Sequence, residues 1–194
     1  MSHRIHSHDC IDSSAGFITD YDLHLFNEGS HHKIFEKLGA HPLTVNGRAG
    51  THFAVWAPNA KGVSLVCNYN HWDGSAHPLK PLGSSGVWAA FIPDIQPGEV
   101  YKYEIRTQSD EIILKADPCA FYSELRPGTA SIVYELDKYE WHDEEWIRNR
   151  DAGSTFDKPV SIYEVHLGSW ARADGNRFLT YRELSDRLVS YVKD

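Results

Sequence analysis

The chain has little cysteine, no run of consecutive basic residues and no long apolar stretch, and each shortage removes a class of protein. Its three cysteines, Cys10, Cys67 and Cys119, are odd in number, far apart and without CxxC spacing, so they build no disulfide framework. Cys67 and Cys119 read instead as small buried thiols of a core. With 27 acidic against 19 basic residues and a formal charge of −8, the surface repels polyanions on average. That excludes nucleic acid as a partner and leaves neutral ligands such as sugars. No segment approaches the roughly 20 apolar residues of a membrane span, and the opening MSHRIHSHDC lacks the apolar run of a signal peptide. These two absences read as a cytoplasmic protein with no membrane partner.

What the sequence does contain is an ordinary globular composition, 41% hydrophobic and 24% charged, in 194 residues. That length suffices for one well-buried domain and part of a second. Residues 1–20 mix His, Ser and Asp with few apolar side chains and are expected to form a disordered tail. Its His3, His6, His8, Asp9 and Cys10 are metal-ligating types, but nothing around them closes a coordination shell, so no metal site is expected. In residues 22–42, Leu25, Phe26, Ile34, Phe35 and Leu38 alternate with polar positions ahead of Gly39 and Pro42, predicting a short helix packed on the domain that follows.

Between Gly50 and Tyr134 the period becomes two. Residues 51–57, 63–68, 87–92, 100–107, 112–115 and 131–134 read as short strands separated by turn formers such as Pro58-Asn59, Asp73-Gly74 and Pro97-Gly98. Many short strands without helical punctuation predict a mainly β fold, an immunoglobulin-like antiparallel β-sandwich spanning residues 21–138 with its short N-terminal helix. In one strand Tyr101, Tyr103 and Ile105 share a face, which turns Lys102, Glu104 and Arg106 outward. Trp56 and Trp88 lie inside strand patterns and read as structural. Residues 139–158 are charged, with Trp141, Trp146 and Ile147 as anchors, and read as a packed linker. Glu144 and Glu145 there belong to a solvated face. The β-branched run 160–167 then predicts a strand, and Thr180 with Glu183 predicts a capped helix carrying Leu184, Leu188, Tyr191 and Val192 on one face.

Several segments in order and spacing carry a resemblance: YDLHLFNEGSHHKIFEKLGAHP (21–42), THFAVWAPNA (51–60), NHWDG (70–74), KADP (115–118), RPGTAS (126–131) and SIYEVHLGSW (161–170). From about Tyr21 onward the chain resembles the N-terminal portion of the bacterial glycogen (1,4-α-glucan) branching enzymes, members of the α-amylase superfamily. The resemblance implies a carbohydrate-binding sandwich ahead of a (β/α)8 barrel. That barrel cuts an α-1,4 glucan and rejoins the piece through an α-1,6 bond in glycogen synthesis, without a cofactor. Residues 159–194 then correspond to the first strand and helix of an incomplete catalytic barrel. Active sites of such barrels lie at the C-terminal ends of the strands, so the resemblance places Tyr163, His166 and Trp170 at the active-site floor, with Glu164 holding neighbours.

The partner implied is α-glucan, as glycogen or amylose. Each sugar needs an apolar platform for its flat face and polar groups for its rim. Trp72, in a turn beside Asn70 and Asp73, and the outward Lys102 offer this combination, and related sandwiches use a Trp and a Lys at these places. Relatives add a second Trp just past the Lys strand, where this chain reads Thr107-Gln108-Ser109-Asp110-Glu111, so half of the platform is absent. Retaining transfer requires a nucleophilic carboxylate and an acid about 5–5.5 Å apart. The family carries both on later barrel strands, a barrel takes roughly 250 residues, and 35 remain from Val160 to Asp194. No catalytic residue is therefore assigned, the C-terminal barrel of the full-length enzyme is missing, and the chain alone is expected to be inert. Two other readings stand beside this one: a stand-alone, non-catalytic α-glucan-binding module, and a fragment of a debranching or trehalose-forming relative.

Overall fold

The computed structural model describes residues 14–151 and 159–194. The His-rich cluster at residues 3–10 lies outside the described residues. The chain divides between Glu140 and Trp141 into two compact units.

The first unit opens with two helices, α1 (Ser14–Phe17) and α2 (Asp20–Glu28). Thr19 caps α2: its hydroxyl accepts from the Asp22 amide at 3.1 Å, and the Asp22 carboxylate accepts from the Thr19 amide at 2.8 Å. Residues 14–20, expected to belong to a disordered tail, are instead ordered: Ile18 is buried and the Phe17 ring lies tilted against His52 with centroids 4.6 Å apart. The helix expected over 22–42 also ends early. Gly29 takes a left-handed φ of 83° and returns its N–H to Leu25 and Phe26 carbonyls, which stops α2. After a 3-10 turn at Ile34–Glu36 the chain enters β1 (Gly39–Val45), so Gly39 and Pro42 belong to a strand. Pro42 is tolerated because β1 lies at a sheet edge.

One sheet contains β1, β2 (Arg48–Trp56), β5 (Val87–Pro93) and β4 (Lys80–Pro81), in that order. In the other, β6 (Val100–Arg106) is central, with β3 (Gly62–Cys67) on one side. Along its other side run β7 (Ile112–Lys115) and β9 (Ser131–Ile132), and β8 (Tyr122–Ser123) lies beyond β9. Every pair is antiparallel, as the period-two pattern requires. The core between the sheets is built by alternate residues: Phe53 and Val55, Ala90 and Ile92, Val63 and Leu65, Tyr101 and Tyr103. Each large side chain so buried contributes roughly 1.5–3 kcal/mol. The four-stranded sheet is covered on its back as well, where Ala54, Val87 and Ala89 meet Ile18, Leu38, Leu23 and Phe26. This two-sided burial makes β2 continuously buried from Gly50 to Val55 rather than alternating.

Within the sandwich core a buried carboxylate ties the strands together. Tyr101 and Tyr103 donate their hydroxyls to Asp117 at 2.7 and 3.1 Å, and the Cys119 amide donates at 2.8 Å. Cys67 is fully buried, and burial pushes its thiol up to about 11, which makes it an inert core group. Trp88 is structural, donating its indole N–H to the Ala57 carbonyl at 3.0 Å. Trp56, at the end of β2, instead leaves more than half its surface exposed, with its ring edge-on to Phe26.

The second unit contains α3 (Glu144–Asp151), α4 (Leu167–Trp170) and α5 (Tyr181–Lys193). The strand expected over 160–167 is not formed: residues 159–166 have no ladder partner, and Val160 and Ile162 are exposed. A strand exists only through hydrogen bonds to a neighbour, and this unit supplies none among its described residues. The α5 cap follows expectation. Thr180 and Glu183 bond reciprocally, and Arg177 grips Glu183 at 2.8 Å. The Arg177 hydrogen bond holds the Glu183 carboxyl down at about 2.

Candidate functional site

Because successive residues of a strand face opposite ways, burying Tyr101 and Tyr103 turns Lys102, Glu104 and Arg106 onto the outer face of the five-stranded sheet. Pairing then fixes what lies beside them. On β3, Val66 stands opposite Lys102, Ser64 opposite Glu104 and Gly62 opposite Arg106. On β7, Leu114 stands opposite Glu104 and Ile112 opposite Arg106. Directly paired residues share a face, so Leu114 and Ile112, each about half exposed, join the outward strip. The Lys102 ammonium donates to the Thr129 hydroxyl at 2.7 Å, which holds it in place.

The turn after β3 presents Trp72. Asn70, expected as a sugar contact, points inward and is buried. Its side-chain carbonyl accepts from the Cys67 amide at 2.9 Å, and its NH2 donates to the Leu65 carbonyl at 2.8 Å and pairs with His77 Nδ1 at 2.9 Å. With its amide so engaged, Asn70 shapes the turn rather than meeting a ligand. Trp72 itself adopts φ 61°, a left-handed conformation unusual for a bulky residue. Its amide donates to the Cys67 carbonyl at 2.9 Å, beside Val66, the cross-strand partner of Lys102. Its indole N–H donates to Asn68 Oδ1 at 2.9 Å, and 39% of its surface is open to solvent.

Next to this turn lies a groove of about 490 Å³, lined by Gly62, Ser64, Gly74, Glu104, Arg106 and Ile112, with Asp73 and Ser75 at its rim. Glycine at 74 makes room for the Glu104 carboxylate, since a Cβ there would stand 2.3 Å from one of its oxygens and push that flexible group aside. The Ser75 hydroxyl and amide both donate to Asp73, at 2.7 and 2.9 Å, and hold its carboxyl below the usual range. Asp73 is therefore an acceptor, not an acid. Apolar side chains, a fixed ammonium and carboxylate acceptors together suit binding of a neutral polyol. Asp117, the buried acid among the described residues, is raised by burial but enclosed by Tyr101 and Tyr103 in the core.

In the second unit Trp170 donates its indole N–H to the Tyr163 hydroxyl at 3.0 Å, and both rings lie against Tyr191 of α5 at 5.6 and 5.7 Å. His166 is not drawn into this cluster; its Nδ1 meets Ser169 Oγ at 2.9 Å within its own turn. Glu164 is exposed. Thr129, Leu114 and Ile112 are the outer-face residues that sequence reasoning missed. The alternation of IILK puts Ile112 and Leu114 on one face, but only the register with β6 shows that it is the face of Lys102.

Residues 37–120 match the family described as carbohydrate-binding module 48 (isoamylase N-terminal domain). Over 194 aligned positions the chain is 53% identical to the 1,4-alpha-glucan branching enzyme GlgB of Synechococcus sp. (strain JA-3-3Ab), with 91% of this chain and 25% of that protein covered. Proteins of the same name from Trichodesmium erythraeum and Halothermothrix orenii are 47% and 51% identical, covering 96% and 91% of this chain and 27% and 28% of theirs. The chain thus spans about a quarter of the length of the curated relatives it matches. Among solved structures, a putative alpha amylase from Salmonella typhimurium superposes on 69% of this chain and 20% of its own with a TM-score of 0.50. At 20% identity that likeness is one of fold.

Proposed function

We propose that this chain, which matches the N-terminal portion of the glycogen branching enzymes and carries a carbohydrate-binding module 48, holds α-glucan for such an enzyme. The enzyme cleaves α-1,4-glucan and re-forms α-1,6 branches in glycogen synthesis. What supports the reading is the outer face of the five-stranded sheet, which Lys102, held by Thr129, shares with the half-exposed Leu114, together with the Trp72 ring left part-exposed in the turn after β3; in this reading Leu114 takes the apolar role of a second platform. A pyranose offers C–H groups on its faces and hydroxyls at its rim, so ring and aliphatic side chains take the one and Lys102 takes the other. A neutral polymer also suits a chain of net charge −8.

In the same reading the sandwich occupies residues 21–138, residues 139–158 connect it, and residues 159–194 begin the catalytic barrel. Tyr163, His166 and Trp170 lie at the floor of its cleft. The carboxylate pair of retaining transfer, about 5–5.5 Å apart, belongs to the three quarters of the relatives that the match leaves uncovered. The setting is the cytoplasm; among the described residues no helix is long and apolar enough to cross a membrane. Affinity electrophoresis tests the binding. A gel containing glycogen retards the wild-type chain, and Trp72→Ala runs as it does in a glycogen-free gel. Equal retardation of the two proteins refutes the assignment of this face.

A further inference from the structure

The groove beside the Trp72 turn has a chemistry that the Trp72–Lys102 surface does not account for. Glu104 sits one outward position along β6 from Lys102, roughly 6.6–7 Å away at strand geometry, and Arg106 is the next. The Glu104 carboxylate lies directly over Gly74 and has no hydrogen-bond or ion-pair partner among the described residues. Across the floor the side chains are small or absent, with Gly62 opposite Arg106 and Ser64 opposite Glu104. Ile112 supplies an apolar wall, and the 73–75 turn the other rim.

The Glu104 carboxylate accepts hydrogen bonds, and the Arg106 guanidinium, whose ion pair with Asp110 is a long 3.9 Å contact, keeps N–H groups to donate, so a ligand that satisfies both must carry donors and acceptors side by side. An anion is repelled by Glu104 and Asp73, and a cation by Arg106. Adjacent hydroxyls of a neutral sugar meet both requirements without net charge, and Ile112 offers a surface for the ring carbons.

We propose that this groove is a second sugar-binding position, continuous with the Trp72–Lys102 surface, in which Glu104 and Arg106 take neighbouring hydroxyls of one glucose unit of the same glucan chain. The inference rests on the glucan-binding reading of that surface and extends it from a point of contact to a track. It makes the face selective for length: maltose is held at Trp72 and Lys102, whereas a longer chain also fills the groove. Glycine at 74 keeps the Glu104 carboxylate in place, because any side chain there would displace it.

The test titrates the full 194-residue chain with maltose and with maltohexaose, followed by amide NMR shifts and calorimetry. Maltohexaose is expected to move the Gly62, Ser64 and Gly74 amides, and to bind tighter than maltose by about tenfold or more, as a charged hydrogen-bonding pair warrants. Glu104→Gln and Gly74→Ala should each collapse that ratio toward one. The first removes the charge, and the second displaces the carboxylate with its charge intact. A ratio unaltered in both folded variants, or groove amides that stay still with maltohexaose, overturns the second position and leaves the Trp72–Lys102 reading standing. Failure of the wild-type chain to bind either sugar overturns both.

Discussion

His52 offers a quantitative test of how the front of the sandwich is held. It lies on the back of β2 with 1% of its surface exposed, its ring tilted against Phe17 of α1, and neither ring nitrogen has a hydrogen-bond partner among the described residues. Burial, with His41 and Lys37 nearby, pushes its pKa from an ordinary 6.5 down to about 3. The folded value lies below the unfolded one, so stability is complete above the unfolded pKa and is lost as pH falls toward the folded value. At about pH 4.5 the unfolded ring is charged and the folded ring is not, which two pH units at about 1.4 kcal/mol each convert to a loss of about 3 kcal/mol relative to about pH 7.5. His41, its register partner, is lowered by burial too and adds to the same slope. Asp117, raised by burial, acts with the opposite sign. Both variants keep His41 and Asp117, so comparison with His52→Leu isolates the His52 share. Urea unfolding followed by near-ultraviolet circular dichroism at the two pH values should show wild type losing about 3 kcal/mol more than His52→Leu. Parallel losses in the two proteins would sink the account.

Two further outcomes are expected. Asn70→Ala strands the Cys67 amide and the Leu65 carbonyl at a buried turn, so it should cost about 2–4 kcal/mol in urea unfolding, whereas Trp72→Ala, losing a part-exposed ring, should cost under about 1.5 kcal/mol. If Asn70→Ala were as stable as wild type, the turn would not depend on its amide. Leu114→Asp places a charge on an exposed strand position without touching the core. It should weaken glycogen retention about tenfold with an unchanged unfolding midpoint, and undiminished retention would remove Leu114 from the binding face.

Much of the first unit was legible because alternation is a local property. Tyr101, Tyr103 and Ile105 against Lys102, Glu104 and Arg106 state which way β6 faces, and the Thr180–Glu183 spacing states where α5 begins. The two-residue strands β4 and β8 are too short to show a period, and β2 lost its alternation to burial on both faces. Gly39 and Pro42 look like helix punctuation in sequence, yet Gly29 had already ended the helix.

The candidate site divides along the same line. Composition, charge and strand periodicity by themselves determined a sandwich that suits neutral ligands, turns Lys102 outward and offers Trp72 in a turn. Only the tertiary structure decided that Asn70 faces the core, that Leu114 and Ile112 share the face of Lys102, and that Glu104 closes over Gly74 to leave a groove. Those outcomes depend on register between strands distant in sequence and on which turn atoms find buried partners. Both are settled by contacts made across the fold rather than by the order of neighbouring residues.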